Sequence, residues 1–133
     1  MKVYLSHSIR GSKGNAATQT EQKACCDAAI ALGERISAEI PSLELYIPGA
    51  NEEFVAIAYR KSYMTIDEIL DVDCTIIDNC EAVIVYVPTD DQLQGGRLVE
   101  FKHAVDTDKP VICFNENEVD NIVKWLVHLI MTG

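Results

Sequence analysis

Residues 82–87 read Ala82-Val83-Ile84-Val85-Tyr86-Val87, a near-continuous apolar run that follows Glu81 and is ended by Pro88. A strand with one wet face alternates apolar and polar residues. An unbroken run belongs to a strand covered by helices on both faces, the signature of a parallel sheet. This run therefore predicts an α/β fold, and the segments around it agree.

Working outward, residues 52–79 carry apolar side chains at helical spacing: Phe54, Ile57 and Ala58, then Ile66, Ile69, Leu70, Ile76 and Ile77. The stretch is too long for one ordinary helix, which predicts a break near Ser62–Thr65. Beyond Pro88 a polar loop ending in Gly95-Gly96 leads to a helix near 97–106. Pro110-Val111-Ile112-Cys113-Phe114 reads as a second buried strand. A final helix over about 118–131 has Val119, Ile122, Val123, Leu126, Val127 and Ile130 on its apolar face.

At the other end, residues 2–6 read as a strand. A helix over 18–39 opens with Thr18 and Glu21 in capping-box spacing. Its apolar positions are Ala24, Ala28, Ile30, Ala31, Leu32 and Ile36, and Pro41 stops it. Leu43–Ile47 is another strand, closed by Pro48-Gly49. Strands alternating with helices predict a small doubly wound, Rossmann-like parallel sheet of four to five strands flanked by helices, as a single domain over 1–133. In such sheets ligands bind beyond the carboxyl ends of the strands. That gathers the loops at 6–14, 88–96 and 115–117 around one crevice.

Composition narrows the function. Apolar residues make up 48% and charged residues 24%, a globular balance. With 21 acidic side chains against 11 basic ones, the net charge is −10, which argues against a nucleic-acid polymer as partner. A small anion needs only one local pocket of donors. The five cysteines are odd in number and lack paired spacing, which predicts free thiols in a reducing compartment. His7, His103 and His128 show no zinc-ligand spacing, so neither metal nor cofactor is expected. No apolar run approaches the ~18 residues of a membrane span, and no leader pattern is read at the start. The expectation is a soluble cytoplasmic protein with no membrane partner.

Four features carry candidate chemistry. The loop after the first strand holds Ser6, His7, Ser8, Arg10, Gly11, Ser12, Lys13 and Gly14. Glycines and cations there suit a phosphate, although neither Walker A nor a dinucleotide fingerprint is present. Glu100 follows Gly95-Gly96 early in a helix beyond a buried strand. There it serves either as a nucleophile or base facing the crevice, or as a solvated glutamate favoured by the helix dipole. Asp73 and Glu81 are further carboxylates; converging on one pocket they would separate in pKa, giving an acid and a nucleophile, whereas apart they are ordinary surface charges. Tyr4 lies within the first strand, where core filling alone accounts for it.

Taken together, these pieces resemble the nucleoside 2-deoxyribosyltransferase superfamily. The order is a strand with Tyr4, the Ser8-Ile9-Arg10-Gly11 loop, a helical stretch with Asp73, Glu81 before a buried strand, and Gly95-Gly96-Arg97-Leu98-Val99-Glu100. Within that superfamily, Ser8-Ile9-Arg10-Gly11 is similar to the 2'-deoxynucleoside 5'-phosphate N-hydrolases. The resemblance implies that Glu100 attacks the anomeric carbon of the sugar to form a covalent glycosyl-enzyme, with Asp73 protonating the departing base and Tyr4 holding the nucleophile. It implies a phosphate site formed by Ser8, Ile9, Arg10 and Gly11, with Gly95 and Gly96 beside it. It implies catalytic participation of Glu81, where the family usually has an aspartate. It also implies a homodimer or dimer of dimers in which Asn115 or Asn117 reaches the neighbouring site. The substrate class implied is a small nucleotide. Departures from the pattern are His7 in place of a small residue, a more acidic loop at 90–96, and Phe114-Asn115-Glu116-Asn117 in place of a Ser-Gly segment. A base-exchanging transferase and a nucleotide-binding protein without chemistry are the other readings.

Overall fold

The computed structural model describes residues 1–8, 16–51 and 65–132. In chain order the elements are β1 (Lys2–Ser6), α1 (Gln19–Glu39), β2 (Glu44–Tyr46), a single 3-10 turn (Pro48–Asn51), α2 (Ile66–Asp78), β3 (Ala82–Tyr86), α3 (Gly95–Asp106), β4 (Val111–Phe114) and α4 (Val119–Thr132). The four strands form one sheet in the order β2-β1-β3-β4, and every pairing is parallel. The fold is the expected small Rossmann-like one.

Local chemistry sets the helix starts. Thr18 and Glu21 form the expected capping box on α1: each backbone N–H is met by the other residue's side-chain oxygen. Thr65 and Glu68 do the same for α2. The expected break near Ser62–Thr65 thus coincides with a helix start at Ile66. The helical pattern expected at 52–61, with Phe54, Ile57 and Ala58, lies outside the described residues.

Some boundaries and faces differ from expectation. β2 spans three residues rather than Leu43–Ile47, because the Leu43 N–H and the Ile47 carbonyl close turns with Ile40 and Ala50 and leave the ladder. α1 buries Cys26, Ala29, Leu32, Gly33 and Ile36, while Ala24, Ala28 and Ala31 face outward. Gly33 belongs to that buried face because a Cβ there would run into Ile47 Cδ1. α3 begins two residues earlier than expected, at Gly95, whose φ of 61° is left-handed and favours glycine. On α4, Val127 and Ile130 remain exposed.

The sheet separates two apolar layers. Val3 and Leu5 of β1, with Ala82 and Ile84 of β3, pack against Leu32 and Ile36 of α1 and Ile122 and Leu126 of α4. Tyr4, Val83 and Val85 point the other way, toward Ile77 of α2 and Ala104 of α3. This is the two-residue alternation of a strand buried on both sides. From β1 the chain passes to β2 on one side, and from β3 to β4 on the other. The topological switch therefore falls between β1 and β3, and a crevice is expected beyond their carboxyl ends. No helix among the described residues is long and apolar enough to cross a membrane.

Candidate active site

Four polar or charged residues are buried among those described: Ser6, His7, Arg97 and Glu100. All four belong to the carboxyl end of β1 or the first turns of α3, at the switch point. Burying polar groups is costly unless each is partnered, and the partners define the site.

Glu100 lies in the second turn of α3, on the face it shares with Arg97 and Ala104. It is 4% exposed, which decides against a solvated helix-start glutamate. Both its oxygens are held from β1. The Tyr4 hydroxyl donates to Oε2 at 2.6 Å, and the Ser6 hydroxyl donates to Oε1 at 2.6 Å. Tyr4 and Ser6 point the same way because they are two apart on one strand. Tyr4 is thus more than core filler, and its ring is backed by Tyr46, stacked at 5.5 Å.

Asp73, half-buried on α2, sets its carboxyl against Glu100 and the Tyr4 hydroxyl. Burial pushes Glu100 up to about 7, with the hydroxyls of Ser6 and Tyr4 pulling back and the Asp73 charge adding to the rise. Burial likewise pushes Asp73 up to about 6, opposed by its bonds to Glu100 and Tyr4. Two such carboxyls in contact titrate as a pair, and each holds its proton to higher pH than a free carboxyl would. The Tyr4 phenol is driven far above its ordinary range by burial, then by the charges of Glu100 and Asp73, so it stays a donor.

His7, also buried at this end of β1, has partners of its own. The Gly49 N–H donates to His7 Nε2 at 2.8 Å, and Nδ1 lies 3.1 Å from the Ser8 carbonyl. An Nε2 that accepts is unprotonated, so the ring is neutral with its proton on Nδ1, donated to Ser8. Burial lowers its pKa, and the positive charge of Arg97 adds to that. The ring thereby ties the exit of β1 to the turn after β2.

Arg97 anchors the loop after β3. Its guanidinium donates to the Tyr86 carbonyl at 3.2 Å, to Asp91 Oδ2 at 2.8 Å and to the Gln92 carbonyl at 3.2 Å. Across the same end of the sheet, Glu116 accepts from the Thr89 N–H and hydroxyl and from the Tyr86 hydroxyl. The loops after β3 and β4 are thus joined.

The expected residues fall into three groups. Tyr4, Asp73 and Glu100 meet. Glu81 does not join them: it is exposed at the amino end of β3, where its N–H donates to the Lys2 carbonyl. A residue that precedes a parallel strand sits at the end opposite the crevice, so its expected catalytic placement is corrected. Gly95 and Gly96 open α3 beside the crevice, where Gln94 supplies no side-chain cap. Asn115 and Asn117 follow β4 and form a local turn, the Asn117 N–H donating to Asn115 Oδ1 at 2.9 Å. Ser8 is half-buried beside His7. Ile9, Arg10 and Gly11 lie outside the described residues. Sequence reasoning counted Ser6 only as part of the phosphate loop and Arg97 only as part of the 95–100 motif, and gave neither a role at Glu100 or in the loop after β3. The signals were there: Ser6 stands two positions from Tyr4 on a strand, and Arg97 one helical turn from Glu100.

No family model, curated protein or solved structure matches this chain.

Proposed function

We propose that the protein hydrolyses the N-glycosidic bond of a nucleoside 5'-monophosphate, a 2'-deoxynucleotide by preference, releasing free base and sugar 5-phosphate. The observation that carries this reading is Glu100: a buried carboxylate with each oxygen held by a hydroxyl and a second carboxyl against it. That arrangement suits nucleophilic displacement at an anomeric carbon. In the first step a Glu100 oxygen bonds to the carbon as the carbon–nitrogen bond breaks. The bond's electron pair leaves with the base, which takes the Asp73 proton. In the second, water attacks the same carbon, passes a proton to Asp73 and releases Glu100. The productive free site is the arrangement in which the pair's one proton sits on Asp73 and Glu100 is charged; the proton exchanges within the pair, and the rate profile is bell-shaped in pH.

The phosphate preference rests on Ser8-Ile9-Arg10-Gly11, since arginine can grip a phosphate with two parallel bonds, with the amino end of α3 at Gly95-Gly96 alongside. We assign the protein to the cytoplasm, consistent with all five cysteines being free. We further assign it a homodimeric or dimer-of-dimers state in which Asn115 or Asn117 serves the neighbouring site.

The test is chromatographic. The protein is incubated with deoxy- and ribonucleoside 5'-monophosphates and the matching nucleosides, with no acceptor base, beside Glu100→Ala. Base released from monophosphates alone, and lost in the variant, is the expected result. Release only after an acceptor base is added identifies a transferase. Intact ligand retained in a stable complex identifies a binding protein.

A further inference from the structure

Ser6 is the last residue of β1, fully buried, and its hydroxyl meets Glu100 Oε1 rather than a backbone group. The other buried residues of that strand, Val3, Tyr4 and Leu5, fill the two apolar layers. A small apolar residue would fill the position of Ser6 as well, so the hydroxyl is accounted for by its bond. The two hydroxyls on Glu100 are not equivalent. Tyr4 lies two residues further from the carboxyl end, roughly 6–7 Å along the strand. Tyr4 therefore holds the carboxylate from the interior side, and Ser6 holds it from the crevice side.

We infer that Ser6 is a positioning residue for Glu100: it keeps Oε1, the oxygen on the crevice side, charged and aimed at the reacting carbon. This rests on the proposed role of Glu100 as nucleophile. A hydroxyl bonded to a carboxylate stabilises the charged form, which is the form that attacks. The groups facing Glu100 are Tyr4 and Ser6 from β1 and Asp73 and Cys74 from α2. On its own helix Arg97 is committed to Asp91 and two carbonyls. Of the two hydroxyls that donate to Glu100, Ser6 meets Oε1 and stands at the strand's open end.

The experiment is a carboxyl carbon-13 titration of the full chain, with the Glu100 signal assigned by its loss in Glu100→Gln. In Ser6→Ala the Glu100 midpoint is expected to rise by about one pH unit or more, the equivalent of one hydrogen bond to a charged group. Ser6→Cys has nearly the same shape and a weaker donor, and its midpoint is expected between the two. A merely space-filling role gives no such gradation. An unmoved midpoint in folded Ser6→Ala overturns the inference, and if that variant does not fold, an unmoved midpoint in Ser6→Cys does. The titration needs no turnover. A wild type that cleaves none of the nucleotides removes the hydrolase reading by itself, while the titration still decides whether Ser6 sets the charge on Glu100.

Discussion

The hydroxyl of Tyr4 lies 2.6 Å from Oε2 of Glu100, across 96 positions of sequence. The bond joins the second layer of the sheet to α3 and sits under the proposed nucleophile. Tyr4→Phe keeps the ring stacked on Tyr46 and removes only the donor. A hydrogen bond to a charged group contributes about 1.5–3 kcal/mol, so turnover is expected to fall roughly tenfold to a hundredfold. The acid limb of the pH–rate profile should move upward, because the charged carboxylate has lost a donor. Steady-state kinetics across pH 5–9 check this; an unchanged acid limb would remove Tyr4 from the nucleophile's support.

Glu100 itself costs stability at neutral pH. Its pKa is raised from 4.5 to about 7, so within that window the folded chain binds more protons than the unfolded chain. The contribution to stability is full below 4.5 and is lost as pH rises through about 7. Asp73 acts in the same sense. Glu100→Gln is therefore expected to unfold at higher temperature than wild type above neutrality, with the difference shrinking on acidification, while cleavage disappears. Melting curves of both proteins against pH measure it. A difference constant across the range would mean that Glu100 does not titrate as the site requires.

His7 carries the opposite sign. Its folded pKa lies below the ordinary 6.5, so beneath that value the unfolded chain binds the extra proton and stability falls with falling pH. The ring packs onto Gly49 as well as bonding to it: a Cβ on Gly49 would sit 2.8 Å from Cε1 and 2.9 Å from Nε2. Gly49→Ala is expected to cost about 1–3 kcal/mol by overpacking, and much less in a His7→Ala background. Urea unfolding of the two single variants and the double variant tests the coupling. Strict additivity would show that ring and turn do not bear on each other.

The sheet was legible because both of its layers are written locally. The apolar run from Ala82 to Val87 needs two covered faces, and Thr18 with Glu21 marks a helix start within four residues. Tyr4, Asp73 and Glu100 were legible through the order of motifs along the chain rather than through local position, since Tyr4 lies mid-strand, Asp73 mid-helix and Glu100 in the second turn of α3. Glu81 was misjudged because adjacency to a buried strand says nothing about which end of that strand faces the crevice; strand direction settles it. The roles of Ser6 and Arg97 were not read because a serine at a strand end and an arginine at a helix start are ordinary locally. Their meaning comes from partners at a distance: Glu100 lies 94 positions from Ser6, and Arg97 binds the Tyr86 carbonyl 11 positions back.

Arg97 and Asp91 form a buried ion pair at 2.8 Å, with side chains 3% and 5% exposed, whereas Lys23 and Asp27 pair at 2.9 Å with side chains 76% and 57% exposed. Nearly equal distances in such different surroundings should give very different energies. Removing one member of a buried pair strands the other charge, at a cost of about 3–5 kcal/mol. An exposed pair one helical turn apart contributes about 0.5 kcal/mol or less. Asp91→Ala is thus expected to be strongly destabilising and Asp27→Ala nearly neutral. Because Arg97 also holds the Tyr86 and Gln92 carbonyls, Asp91→Asn should lose less than Asp91→Ala. Denaturant unfolding of the three variants decides the matter. Equal, small losses for Asp91→Ala and Asp27→Ala would mean that the loop after β3 opens to water in solution and that Arg97 does not fix that wall of the crevice.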